Sequence, residues 1–89
     1  MSVYVDRVFA TTPGRRWPFT QACHMFADTE AELHHLAGVI GLRRSWFQPK
    51  KGLPHYDLTA GRRRAAVRQG AIEVTRRQAA EWTRKRAMV

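Results

Sequence analysis

The chain has 89 residues, with 16 lysines and arginines against 7 aspartates and glutamates, a formal net charge of +9 at pH 7. That length excludes more than one domain and allows only a thin core, while three Trp, four Phe and two Tyr supply enough bulk to argue against a disordered chain. One cysteine excludes an internal disulfide, and with no charged-then-apolar leader or long apolar run the chain is expected to be cytoplasmic with no membrane contact.

Val3-Tyr4-Val5-Asp6, extended by Val8 and Phe9, predicts a first strand that carries an acid at its end. Residues 11–18 hold two prolines, a glycine and two arginines, which is loop chemistry. In that loop Arg15, Arg16 and Trp17 are placed to cover a ligand. Residues 22–27 predict a second strand with His24 inside it. Cys23 is read as a buried thiol, since neighbours on a strand point to opposite faces and His24 cannot activate it.

Thr29 and Glu32 form a capping box, and Leu33, Leu36, Ala37 and Ile40 fall at helical spacing, so a helix spans about 30–40 with Gly41 just past its end. At 100° per residue His35 lies opposite that apolar stripe and His34 at its edge, which leaves His34 as the one able to reach a site. Trp46 and Phe47 beside Arg43 and Arg44 are either stacking residues or core. A loop over 48–54 then delivers His55-Tyr56-Asp57. Thr59 caps a second helix that runs to about Gln69 and stops at Gly70. Arg63 and Arg64 flank the projection of Val67, so one of them is expected beside the apolar face, paired with Asp57 or a bound anion. Residues 71–74 predict a third strand. Thr75 with Gln78 opens a basic last helix, 76–87, that turns Ala79 and Trp82 inward.

The order predicts a single α/β domain over 1–89, with a short, partly parallel three-stranded sheet and about three helices. Ligands of such sheets sit outside the carboxyl ends of the strands. This places Asp6, Asp28, His55 and Asp57 at one edge, with His34 reaching in and His24 joining if its strand face agrees. Alternation makes His55 and Asp57 the working pair and turns Tyr56 away.

Charge is divided unevenly. Residues 1–42 carry three arginines against four carboxylates, net −1, and residues 43–89 carry thirteen Lys/Arg against three carboxylates, net +10. The second half is where a polyanion would be met. Two chemistries suit the polar set. His24, His34, His55 and Asp57 are candidate ligands of a divalent metal, although no pair has HExxH spacing. The metal-free alternative is a pocket in which Arg15, Arg63 and Arg64 hold a phosphate, Tyr56 stacks on a base, and His24, His34, His55 and Asp57 complete the contacts.

The pattern Tyr4-Val5-Asp6, Cys23-His24, Asp28, Leu33-His34, Phe47, His55-Tyr56-Asp57 and Gly70-Ala71 resembles the small bacterial and phage family catalogued as domain of unknown function 4031, over about residues 3–75. The resemblance carries no activity. It implies that Asp6, His24, His34, His55, Tyr56 and Asp57 coincide with the family's characteristic polar positions. The basic stretch Pro49-Lys50-Lys51-Gly52 and the arginine-rich tail depart from many relatives.

The first expectation for function is a basic, phage-encoded protein that binds a phosphate-bearing ligand, nucleic acid or a nucleotide. The alternative is a metal-assisted or acid/base phosphodiesterase or nuclease using His55, Asp57, His34 and Asp6. A third is an interaction protein that engages a host protein through its basic face. The thin core and exposed aromatics point to a homodimer.

Overall fold

The computed structural model describes residues 2–87. The chain runs β1 (Val3–Val5), β2 (Phe9–Ala10), β3 (Gln21–Ala27), α1 (Glu30–Val39), a 3-10 turn (Arg44–Trp46), β4 (Tyr56–Leu58), α2 (Ala60–Arg68), β5 (Ile72–Glu73) and α3 (Arg76–Ala87). The α/β class, the three helices and the partly parallel sheet match the sequence reading, but the sheet has five strands and not three. Two strands were hidden in the sequence. The first predicted strand is broken at residues 6–8 into β1 and β2, and His55-Tyr56-Asp57 leads into β4, too short to stand out by alternation.

β3 is the organising strand. β1 and β2 pair with it antiparallel along one edge, β4 antiparallel along the other, and β5 extends the sheet beyond β1 as its one parallel pair. Val5 faces Met25 while Phe9 faces Ala22, so four steps on one strand oppose three on β3. The extra residue is a bulge, a device that bends a strand and re-aims a side chain. The extra residue falls just after Asp6, whose amide still donates to the His24 carbonyl.

Alternation along β3 assigns the two faces of the sheet. Cys23, Met25 and Ala27 point to one side with Val5, Tyr56 and Leu58, and form the core with Leu33, Leu36 and Ala37 of α1 and Ala66 of α2. Full burial of each leucine stabilises by about 1.5–3 kcal/mol. Burial, with the Asp6 charge nearby, pushes the Cys23 thiol up to about 12, so it is an inert packing group. On the other face Trp82 of α3 packs on Phe26 and Tyr4, with ring centroids 4.8 and 6.5 Å away. The rest of that face carries His24 and Asp57.

The helix ends follow their caps. Thr29 accepts from the Glu32 amide, Thr59 from the Arg62 amide and Thr75 from the Gln78 amide. Gly41 and Gly70 end α1 and α2 with φ of +84° and +102°.

Candidate functional site

β3 and β4 bring His24 opposite Asp57 in register, and both point away from the helical core. His55, two residues before Asp57, shares that face. It is fixed by a bridge to Gln48, in which the Gln48 amide donates to the His55 carbonyl at 2.9 Å and the His55 amide to Gln48 at 3.0 Å. The His24 and His55 rings meet edge to face with centroids 4.8 Å apart. One donor atom from each of His24, His55 and Asp57 lies within 4.8 Å of the others.

Each member has a fixed supporting partner. His24 Nδ1 stands 2.7 Å from Asp6 Oδ2, and the His24 amide donates to Asp6 Oδ1 at 2.6 Å. Asp6 is buried, 5% exposed. The Asp6 carboxylate holds the His24 imidazole above its ordinary pKa, against the opposing effect of burial. His55 is 4% exposed, and its Nδ1 is 2.7 Å from the Leu53 carbonyl. A carbonyl only accepts, so Nδ1 carries the proton and Nε2 faces Asp57 Oδ1 at 3.4 Å. The other Asp57 oxygen accepts from the Gln48 side-chain amide. Burial pushes the Asp57 carboxyl up, but the His55 ring beside it and the hydrogen bond from Gln48 outweigh this and leave the group below the ordinary range.

Asp57 and Gln48 also line a cleft of about 820 Å³. Its walls are Arg16, Trp17, Pro18 and Phe19 of the β2–β3 connection on one side, and Trp46, Leu42, Thr59 and Arg62 on the other. The β2–β3 wall is a built hairpin end. The Thr11 amide donates to the Thr20 carbonyl at 2.8 Å, the Gly14 amide to Trp17 at 2.9 Å, and Trp17 Nε1 to the Gln21 carbonyl at 3.1 Å. Phe19 and Trp46 remain 46% and 49% exposed. Arg62 is anchored by a hydrogen bond from its guanidinium to the Ile40 carbonyl.

The predicted set is thus only partly assembled. His24, His55 and Asp57 meet, with Asp6 behind His24. His34 does not join them, because it belongs to the helical face, where Nδ1 is 2.8 Å from the Tyr56 hydroxyl and the ring packs edge to face on Phe47 at 4.6 Å. Tyr56 is fully buried and has no face for a base. Arg63 is the arginine beside the apolar face, but its partners are the Asp6 carbonyl and Glu73, each at 2.8 Å, and not Asp57 or an anion. Arg64 is exposed, and neither it nor Arg15 lines the cleft. The guanidiniums there are Arg16 and Arg62.

Asp28 is also displaced from its expected edge. Antiparallel pairing of β1 with β3 sets Val3 against Ala27, which carries Asp28 to the start of β1. There it accepts from the Ser2 amide at 2.9 Å and the Tyr4 hydroxyl at 3.0 Å. Gln48 and the Leu53 carbonyl gave no signal in the sequence, since a loop glutamine and a main-chain oxygen acquire a role only through non-local pairing. Arg62 had one: it lies three residues after the Thr59 cap, on the first turn of α2.

No helix among the described residues is long and apolar enough to cross a membrane. No curated protein and no solved structure matches the chain. A family model does, over residues 3–86, and with nearly the whole chain covered the protein belongs to the family described as "Protein of unknown function (DUF4031)".

Proposed function

We propose that the protein binds a phosphate-bearing ligand with a flat apolar ring, a nucleotide or the end of a nucleic-acid strand, in the cleft between the β2–β3 connection and α2. The observation that carries this reading is the cleft's lining: exposed Trp46 and Phe19 with Trp17, and guanidiniums from Arg16 and Arg62. Aromatic faces exposed in a concave site gain from stacking on a base, at about 1–3 kcal/mol per base. Arginines bind phosphate oxygens through charge-assisted pairs. Asp57 repels a phosphate from its end of the cleft, so the phosphate goes to the arginines and the carboxylate meets a donor.

Titration of nucleotides and of short DNA and RNA across salt, followed by tryptophan fluorescence, tests this. Trp17 and Trp46 line the cleft and Trp82 does not, so quenching that is lost in Trp46→Ala reports on the cleft. Binding that weakens about tenfold or more in Arg16→Ala and falls with salt is the expected result. No affinity at low salt for any of these ligands overturns the reading.

A second reading, phosphoester hydrolysis, is favoured by the place of Asp57 in both the cleft and the histidine cluster. Water would attack phosphorus and the ester P–O bond would break, with His55 Nε2 or Asp57 accepting the water's proton. Turnover of a generic phosphodiester that survives in both His55→Ala and Asp57→Asn excludes it.

A further inference from the structure

We propose that His24, His55 and Asp57 bind a divalent first-row transition metal ion of the zinc class, through His24 Nε2, His55 Nε2 and Asp57 Oδ1. This inference stands apart from what the cleft binds, because it rests on the orientation of three side chains and not on the cleft's walls.

The first support is the state of the donor atoms. Metal-binding histidines almost always donate their other ring N–H to a carboxylate or a main-chain carbonyl, which fixes the tautomer and aims the free lone pair at the metal. Both kinds of partner are present here. Asp6 Oδ2 faces His24 Nδ1 at 2.7 Å, and the Leu53 carbonyl faces His55 Nδ1 at 2.7 Å. Gln48 does the same for the oxygen of Asp57 turned away from His55. All three supporting groups come from outside the trio.

The second support is the separation of the donor atoms. His55 Nε2 stands 3.4 Å from Asp57 Oδ1, on a side chain only 5% exposed whose Nδ1 is occupied by the Leu53 carbonyl. A ring nitrogen and a carboxylate oxygen so placed are joined by a cation, either a proton on Nε2 or a metal ion between them. Two ligands about 2.1 Å from one ion at the tetrahedral angle stand about 3.4 Å apart, the separation observed. The remaining separations are all within 4.8 Å.

The third is ligand chemistry. Two imidazoles and one carboxylate suit zinc and its neighbours, whereas magnesium and calcium require all-oxygen shells. Three protein ligands leave a fourth position for water or an oxygen of a bound molecule, the arrangement of catalytic zinc rather than structural zinc. Asp57 also lines the cleft, so the ion would lie beside its floor.

The test uses the full chain, stripped of metal by a chelator and titrated with Co2+ and then Zn2+. Expected are one equivalent bound per chain, visible d–d absorption of the intensity of a four- or five-coordinate Co2+ centre, and its displacement by Zn2+. Asp57→Asn and His24→Ala each lower the affinity by more than about 100-fold, and Asp6→Asn by roughly 10–100-fold. His35→Ala, which removes an exposed imidazole, leaves it unchanged. Should His24→Ala fail to fold, the near-isosteric Asp57→Asn decides. Absence of saturable binding at one equivalent, or equal affinity in wild type and Asp57→Asn, overturns the proposal. Neither readout requires the cleft to hold a nucleotide.

Discussion

The carboxylate of Asp6 stands in for its own main chain opposite His24. The Asp6 amide donates to the His24 carbonyl at 3.1 Å, but the His24 amide donates to Asp6 Oδ1 at 2.6 Å, and the Asp6 carbonyl is released to accept from Arg63 Nε at 2.8 Å. One buried side chain therefore completes a strand pair and aims an imidazole.

Asp6→Asn keeps the shape but can supply only one acceptor oxygen where the carboxylate supplies two. One of the two His24 donors is left without its partner, and a buried donor so treated costs about 1–3 kcal/mol. Chemical denaturation of the metal-free variant measures this as a lower midpoint at unchanged slope. A midpoint equal to wild type would show that water replaces the lost bond.

Arg63 joins the end of β1 to α2 and β5. Its bond to the Asp6 carbonyl is partly buried, while Glu73 is 60% exposed and the ion pair is screened. Arg63→Ala is expected to cost about 1.5–3 kcal/mol, and Glu73→Gln less than about 1 kcal/mol. A comparison of the two variants in urea separates the carbonyl bond from the ion pair.

Tyr56→Phe removes the hydroxyl that meets His34 Nδ1 at 2.8 Å. His34 Nε2 is buried with no hydrogen bond among the described residues, and Glu30 Oε1 is 3.6 Å from it. The ring then loses the one side-chain hydrogen bond it has, and stability falls by about 1–2 kcal/mol. Cobalt affinity stays at the wild-type value, because Tyr56 and Asp57 lie on opposite faces of β4. A parallel loss of metal would refute that separation.

Gly41 and Gly70 separate two effects of a methyl group. At Gly41, φ is +84° and a Cβ would stand 2.9 Å from the Arg62 guanidinium; at Gly70, φ is +102° and nothing among the described residues lies within 4 Å. Both alanine variants lose about 1–2 kcal/mol from the left-handed backbone. Only Gly41→Ala moves Arg62, so under the proposed function only it is expected to weaken ligand binding in the cleft, which isothermal titration against the tightest-binding nucleotide distinguishes.

Asp28 gives the protein an acid limb. Burial pushes its carboxyl up, but bonds from Tyr4, Ser2 and Trp82 outweigh this and hold it below the ordinary carboxylate value. A folded-state pKa below the unfolded one contributes stability above the unfolded pKa, near 4, and loses it as the pH falls through the folded value. Thermal melts between pH 6 and 2.5, within roughly the carboxylate range, are expected to show a shallower acid decline in Asp28→Asn than in wild type.

Local signals were legible and pairing was not. Thr29, Thr59 and Thr75 announced three helices because caps act over three residues, and Gly41 and Gly70 marked two of the stops. The face of Tyr56 followed from period-two alternation. Asp28 and His34 failed as site residues for one reason: strand direction and the packing of α1 depend on contacts more than twenty residues apart. The bulge after β1 is invisible for the same reason, since it exists only by comparison with β3. Arg63 read correctly as a half-buried cation in need of a partner, but Glu73 could not be named as that partner, because it reaches Arg63 through the parallel pairing of the predicted third strand with β1.

That bulge also makes the protein modular. Residues 11–20 project from a hairpin whose register against β3 is locked behind them by Asp6, so their length and composition can change without slipping His24 off its face. The wall formed by Arg16, Trp17 and Phe19 is thus an exchangeable cassette: grafting a different loop between Ala10 and Gln21 would retarget the cleft while His24, His55 and Asp57 stay where they are.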